Sequence, residues 1–395
     1  MMWCSRMTCF TRPTGVLRTV SNVTLEVNKR DIKETRIVRE STLNPVQTGE
    51  VRLQVDKFSL TANTVTYAWA GDKLGYWDFF PSESSLEWGR VPAMGWATVI
   101  ESLVPNVTVG EKYFGWYPMS KYVTITGKAK PDGGFLDVGE HRAKHAQVYV
   151  DFSRTDVDPF NVDDTEDGED RQALLRGLFL TSFLADEFFR HHKNGEYLGA
   201  EEVYIISASS KTALGIAQRI SVQRRPGSLP IKTIGITSLN NVDFVKSTGY
   251  FDRVIPYDNV HSLCGNVGAV IIDMSGNWDI VSKLHEVLGE NLKYSMSIGK
   301  SHHDNPTEAS VVRGPPPTLF FAPAEFSSCV ERWGLKEFIS RSKEALGVFV
   351  AGSREWMKVQ HVYGPEGVKD QWRLLVDGKV SPNTGVVGSM FCSKI

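Results

Sequence analysis

Between a β-branched apolar segment, residues 203–206, and a helical pattern running from Thr212 through Ile216 and Ile220 stand Ser207, Ser209, Ser210, Lys211 and Thr212. Residues of these types at a strand-to-helix turn can hold an anion. The small side chains let a ligand approach the backbone, the hydroxyls donate hydrogen bonds, and Lys211 adds a cation. The free N–H groups and dipole of the helix N-terminus favour a phosphate at the same place. Three further groups close later apolar runs: Thr237, Ser238 and Asn240, then Met274, Ser275 and Gly276, then Gly299.

The elements that must position these residues follow from the pattern. Apolar runs 203–206, 231–238, 253–258, 269–276 and 292–299 alternate with helical stretches from Thr212 onward and over 240–247 and 278–288. Alternation of this kind predicts a parallel sheet with helices on both faces. Ligands bind beyond the carboxyl ends of such strands, which is where the polar groups fall. A plain turn without a ligand is the alternative. Ser210-Lys211-Thr212 has the form of the end of a P-loop, but Ile205 and Ser210 stand where its two glycines belong, and that reading is set aside. A strict G-x-G-x-x-G is also absent. At the end of the second strand no Asp or Glu is present to hold a ribose 2′-hydroxyl. Thr237, Ser238 and Asn240 are there instead, which favours NADPH over NADH.

The chain has 395 residues, 41% apolar and 23% charged, with net charge −2, as expected for two folded domains. That balance argues against a general nucleic-acid binder, and no apolar run is long enough to predict a membrane span. Cys4, Cys9, Cys264, Cys329 and Cys392 are scattered without metal-ligand spacing, so no zinc is expected and the thiols suit a reducing, cytoplasmic setting. The pairs His191-His192 and His302-His303 lack partners that would complete a metal set; His302 and His303 remain candidates for contact with ribose or substrate. Residues 1–24 hold Arg6, Arg12 and Arg18 and no acid, the composition of a mitochondrial transit peptide. A plain extension, or initiation at Met7, is the other reading. The acidic run 156–170 is expected to be a solvated loop at the domain junction. After it, residues 171–192 predict an amphipathic helix, or two, with Leu174, Leu175, Phe179 and Phe183 inward and Thr181 and Ser182 interrupting the apolar face.

Earlier in the chain, residues 51–58 alternate as a half-buried strand, residues 59–67 read as a loop or short helix, and residues 90–100 and 110–117 carry the Gly, Pro and aromatic punctuation of a small barrel. The stretch Ser207-Ala-Ser-Ser-Lys-Thr-Ala-Leu-Gly-Ile-Ala-Gln218 resembles the phosphate turn of the medium-chain dehydrogenase/reductase superfamily, in its zinc-free quinone oxidoreductase and enoyl reductase branch. Residues 237–249, 254–258 and 272–276 follow in that family's order. More narrowly, residues 60–67, 174–176, 181–184 and 320–323 are similar to an offshoot known only as a domain of unknown function. The resemblance covers nearly everything after about Thr24.

It implies an α/β fold, a Rossmann-type doubly wound parallel sheet plus a GroES-like β-rich barrel domain. The implied division is an extension over 1–24, a catalytic domain over 25–155, a dinucleotide-binding domain over 170–318 and a return to the catalytic domain over 319–395. The implied chemistry is zinc-independent hydride transfer from NADPH to an α,β-unsaturated carbonyl or a quinone, a small-molecule substrate. Ser207, Ser209, Ser210, Lys211, Thr212, Thr237, Ser238, Asn240, Met274, Ser275, Gly276 and Gly299 would hold the cofactor. Asn63 and Tyr67 would stabilise the developing oxyanion, with Tyr67 also a proton donor and Ser182, Thr181 and Tyr117 weaker candidates. Dimers through edge pairing of the nucleotide-domain sheets are implied as well. Two other classes stay open: an NADP(H)-sensing protein that no longer turns over, motivated by Ser and Lys in place of turn glycines, and an assembly protein that binds no nucleotide.

Overall fold

Val203, Ile205, Val270 and Ile272 are fully buried in one apolar cluster, while Tyr204, Ile206, Ile271 and Ala269 are buried in another. Side chains two apart share a face of a strand, so these runs are covered on both sides, which explains their continuous hydrophobicity. A computed structural model describes residues 21–82, 85–222, 231–298 and 312–393. In it the runs form β1 (Glu202–Ile206), β2 (Lys232–Thr237), β3 (Arg253–Pro256), β4 (Ala269–Asp273), β5 (Leu292–Ser297) and β6 (Thr318–Leu319). All neighbours pair in parallel, in the spatial order β3-β2-β1-β4-β5-β6. This is the doubly wound dinucleotide-fold order, and the direction of winding reverses between β1 and β4. The crevice beyond that pair is the expected ligand position.

The first domain is a closed antiparallel barrel. Strands Glu50–Leu60, Pro92–Ser102, Lys112–Pro118, Asp151–Arg154, Phe135–Asp137 and Tyr122–Ala129 pair in that order, and Tyr122–Ala129 closes back onto Glu50–Leu60. Gly95 marks a close crossing: a Cβ there would lie 2.2 Å from the Lys57 carbonyl oxygen. Together the two domains give the Rossmann plus GroES-like architecture.

Helix Glu166–Arg190 joins them. Thr165 caps it by accepting from the Gly168 N–H, and acidic residues fill its first turn, where they complement the dipole. The helix therefore begins inside the acidic run that its charge predicts to be solvated loop. Glu169 and Asp170 are buried there, because Lys57 and Lys112 of the barrel meet them at 2.6–2.9 Å and His361 meets Asp170 at 2.7 Å. Partners more than 50 residues away in sequence convert a charge run into a domain joint.

The return to the barrel comes later than residue 319. Residues 318–319 still belong to the parallel sheet. Helices Ala322–Trp333 and Leu335–Trp356 then pack on the joining helix through Leu174, Phe179 and Phe183 against Phe338 and Phe349. Only strands Lys358–Tyr363 and Thr384–Ser389 extend the barrel sheet, with Thr384–Ser389 lying inside it, between Lys358–Tyr363 and Glu50–Leu60. No helix among the described residues is long and apolar enough to cross a membrane.

Candidate functional site

At the carboxyl end of β1 the chain makes its turn with Ser207 in the left-handed region, φ 61°. That conformation costs a residue with a Cβ about 1–2 kcal/mol. Ser207 is held there by Tyr257, whose hydroxyl hydrogen-bonds to the Ser207 hydroxyl and backbone N–H. Burial pushes the Tyr257 hydroxyl up to about 12, with the Asp273 carboxylate adding to the shift. Ser210 caps helix Lys211–Val222, its hydroxyl accepting from the Ala213 N–H at 3.2 Å. The backbone N–H groups of Ser209, Lys211 and Thr212 meet no acceptor among the described residues. Three donors and a helix N-terminus thus stand at the switch point without a partner among the described residues, which fits an anionic group.

Ser209 turns toward the second strand. Its hydroxyl oxygen accepts from Asn241 Nδ2 at 3.1 Å, and Thr237 Oγ1 lies 3.4 Å away. Thr237 is buried, Ser238 half-buried and Asn240 exposed, so Asn241 rather than Asn240 is drawn to the turn. A 3-10 turn over Leu239–Asn241 makes that selection, and residue type alone does not distinguish the two asparagines.

Lys211 leaves the turn in another direction. Its ammonium donates to the Thr384 carbonyl at 3.1 Å, the first residue of the barrel-domain strand Thr384–Ser389. Burial without a countercharge pulls its pKa down to about 8. Thr212 is half-buried beside it on the same helix.

On the far side of the switch point, Asp273 is the last residue of β4 and stands beside Ile206 in register. Its carboxylate accepts from the Ser275 N–H and hydroxyl at 2.7 and 2.6 Å and from the Gly276 N–H at 3.1 Å. Met274 and Ser275 are buried, and Gly276 takes the left-handed conformation, φ 64°. Asp273 therefore shapes this rim, a role that its place at a strand end signals and that residue-by-residue reading passed over. Tyr257, first residue after β3, is signalled by the same rule. Gly299, His302 and His303 lie outside the described residues.

In the barrel domain, helix Ala62–Trp69 carries Asn63 and Tyr67 one turn apart. Thr61 caps it, trading hydrogen bonds with Thr64 in a capping box. Asn63 Nδ2 donates to the Tyr67 hydroxyl oxygen, so that oxygen is occupied as an acceptor and its own O–H remains to donate. Tyr67 packs against Tyr76 and Trp116 with centroids 4.7 and 5.2 Å away. Burial foremost, helped by Tyr76 and Tyr149, raises its pKa well above the ordinary tyrosine range and keeps it protonated. The helix follows directly on Leu60, which pairs with Val386, two residues from Thr384. Lys211, Thr384 and the start of the Asn63 helix are thereby brought to one end of the sheet.

Ser182 meets the turn helix from the joining helix. It is fully buried, and its hydroxyl donates to the Leu178 and Thr212 carbonyls at 3.1 and 2.8 Å inside a helix–helix joint. Thr181 likewise bonds back to the Gly177 carbonyl, and Tyr117 is buried with its hydroxyl on the Tyr113 carbonyl. Surface depressions of about 370 and 490 Å³ include none of the residues placed at the crevice.

A family model described as "Protein of unknown function (DUF2855)" matches residues 58–381. The comparison with curated proteins returned no match. Among solved structures, CurA from Vibrio vulnificus is 15% identical with a TM-score of 0.59, covering 94% of this chain and 98% of its own. CurA was also solved in complex with NADPH, at 14% identity, TM-score 0.59 and coverage of 93% and 98%. A putative NADPH:quinone reductase from Bacillus thuringiensis is 13% identical with a TM-score of 0.52, covering 94% and 99%. The likeness spans both domains and is one of fold.

Proposed function

The chain belongs to the family described as "Protein of unknown function (DUF2855)", and from that premise we propose that it is an NADPH-dependent, zinc-independent reductase of an α,β-unsaturated carbonyl or a quinone. The observation that carries the reading is the β1 turn, where the N–H groups of Ser209, Lys211 and Thr212 stand at the topological switch point without acceptors among the described residues. A dinucleotide pyrophosphate supplies the acceptors such a turn lacks. Ser209, Thr237 and Asn241 present hydroxyls and an amide where a ribose 2′-substituent would lie, and residues 237–241 include no Asp or Glu that would repel a 2′-phosphate. The NADPH complex of CurA, which is similar in fold, points the same way.

When bound, the dihydronicotinamide supplies the hydride. The acceptor oxygen that gains negative charge would need a hydrogen-bond donor, a role we assign to the O–H of Tyr67. Asn63 fixes the orientation of that hydroxyl by occupying its oxygen. A proton from Tyr67 or solvent completes the two-electron reduction and leaves NADP⁺. Tyr67 itself is buried among aromatic side chains.

Binding without turnover is the second reading, favoured by turn positions where Ser207 and Lys211 replace glycines and are tied by their own side chains. Thermal melting with NADPH, NADH or ATP–magnesium separates the readings. A shift with NADPH, followed by NADPH oxidation in the presence of quinones, enals or enoyl thioesters, is the expected result. A shift without oxidation by any acceptor would leave the sensing reading, and no shift with NADPH overturns both. Leu319 and Phe321, exposed at the β6 edge, are where we expect two copies to pair, which sedimentation would read as a dimer.

A further inference from the structure

Lys211 occupies a turn position that the resembling superfamily fills with glycine, and the bulk it adds is directed out of the turn. Its ammonium crosses to the opposite domain and bonds the Thr384 carbonyl at 3.1 Å. The next residue shows how tightly that strand end is seated: a Cβ on Gly385 would fall 2.5 Å from Leu174 of the joining helix and 3.0 Å from the Met357 sulfur. Beyond Gly385, Val386 pairs with Leu60, the last strand residue before the helix of Asn63 and Tyr67. One side chain therefore connects the phosphate turn to the strand that positions the proposed acceptor site. The connection is incomplete as it stands. An ammonium has three donors, and Lys211 has the single Thr384 carbonyl as partner with no carboxylate in an ion pair among the described residues.

Resting on the reductase reading above, we infer that Lys211 is a two-sided bridge: held by Thr384 on one side, its ammonium takes a phosphate oxygen of the dinucleotide on the other, so that cofactor binding locks the strand Thr384–Ser389 and readies the acceptor side. Lys211 is on this account a positioning residue. It touches the cofactor phosphate and acts on the reacting atoms through Thr384.

The test compares the full-length wild type with Lys211→Met and Lys211→Gly, using NADPH as the probe and amide hydrogen exchange of residues 384–389 and 62–69 as the readout. In the wild type, saturating NADPH slows exchange in both segments, by up to about 100-fold when NADPH exceeds its Kd by that factor. In Lys211→Met, NADPH binds about tenfold more weakly or worse, the loss of a charged hydrogen bond. Exchange in 384–389 then stays fast even when the higher NADPH concentration saturates the site. Lys211→Gly keeps the turn N–H groups and is expected to bind NADPH without that protection. Melting of each variant without ligand verifies that it folds. Protection of 384–389 equal to the wild type in both variants overturns the bridge, as does unchanged NADPH affinity in Lys211→Met or complete loss of binding in both. A wild type that binds no NADPH overturns the reductase reading itself, so the two failures are distinct.

Discussion

The Ser182 hydroxyl donates to the Thr212 carbonyl at 2.8 Å, gripping the helix of the phosphate turn from the helix that joins the domains. Gly215 makes the grip possible, since a Cβ there would stand 2.6 Å from Ser182 Oγ. Ser182→Ala should therefore cost about 1 kcal/mol of stability, the worth of one buried hydrogen bond. Gly215→Ala should cost about 1–3 kcal/mol through overpacking. Denaturant melts of the two variants check both. Full retention of NADPH oxidation by Ser182→Ala, at a temperature where it is folded, would separate this structural role from a catalytic one.

Ser207 gives a comparison of two replacements at one strained position. Both Ser207→Gly and Ser207→Ala lose the hydroxyl that meets Tyr257. Only glycine is free of the cost of φ 61°. Ser207→Gly should be the more stable of the pair by about 1 kcal/mol, seen as the higher Tm. Equal stability would mean that the turn relaxes around a side chain.

For Tyr67 and Asn63 the expectation concerns turnover. Tyr67→Phe should lower kcat by about 100-fold, the scale of one lost oxyanion donor, with NADPH affinity unchanged. Asn63→Ala leaves the phenol in place but unorients it, so a smaller loss is expected. Because the Tyr67 pKa is raised well above the ordinary range by burial, the alkaline limb of the rate profile should not move in Asn63→Ala. Steady-state rates with any accepted quinone or enone test all three statements.

The pH dependence of stability carries a signature of Lys211. Burial lowers its pKa from 10.5 in the unfolded chain to about 8 in the fold. Across that window the unfolded chain holds the extra proton, so this residue makes stability rise with pH from about 8 to 10.5. Below about 8 its destabilising effect is fully present. Lys211→Met should remove that rise. Plotted as variant minus wild type, the stability difference should fall with pH over the window and be flat below it, as read by urea melts at matched ionic strength.

Period and residue type made much of the fold legible. The alternation of β-branched runs with helical stretches placed β1 to β5 and helix Trp278–Leu288 correctly, because strands buried on both faces must be apolar throughout. The barrel was legible from Gly, Pro and aromatic punctuation. The acidic run 156–170 is loop at the domain junction up to Thr165, as its charge predicts, but residues 166–170 are helical and Glu169 and Asp170 are buried, because Lys57 and Lys112, distant in sequence, meet them. Strand Lys358–Tyr363 escaped notice for a related reason. Only Val359 and Val362 are half-buried and its other residues are exposed, so little apolar signal marks it, and its pairing with Thr384–Ser389 stabilises it through the backbone.

By itself the sequence determined the parallel sheet, the small-residue turn after β1 and the lack of an acid at the end of β2, since each depends on local pattern and on which residue types are present. Tertiary structure alone decided which polar side chains meet. Asn241 rather than Asn240 reaches Ser209, Tyr257 holds Ser207, Ser182 is closed inside a helix joint, and Lys211 crosses to Thr384. A hydrogen bond is fixed by direction and by separations of about 3 Å. Those quantities arise only when elements far apart in the chain have been packed against one another.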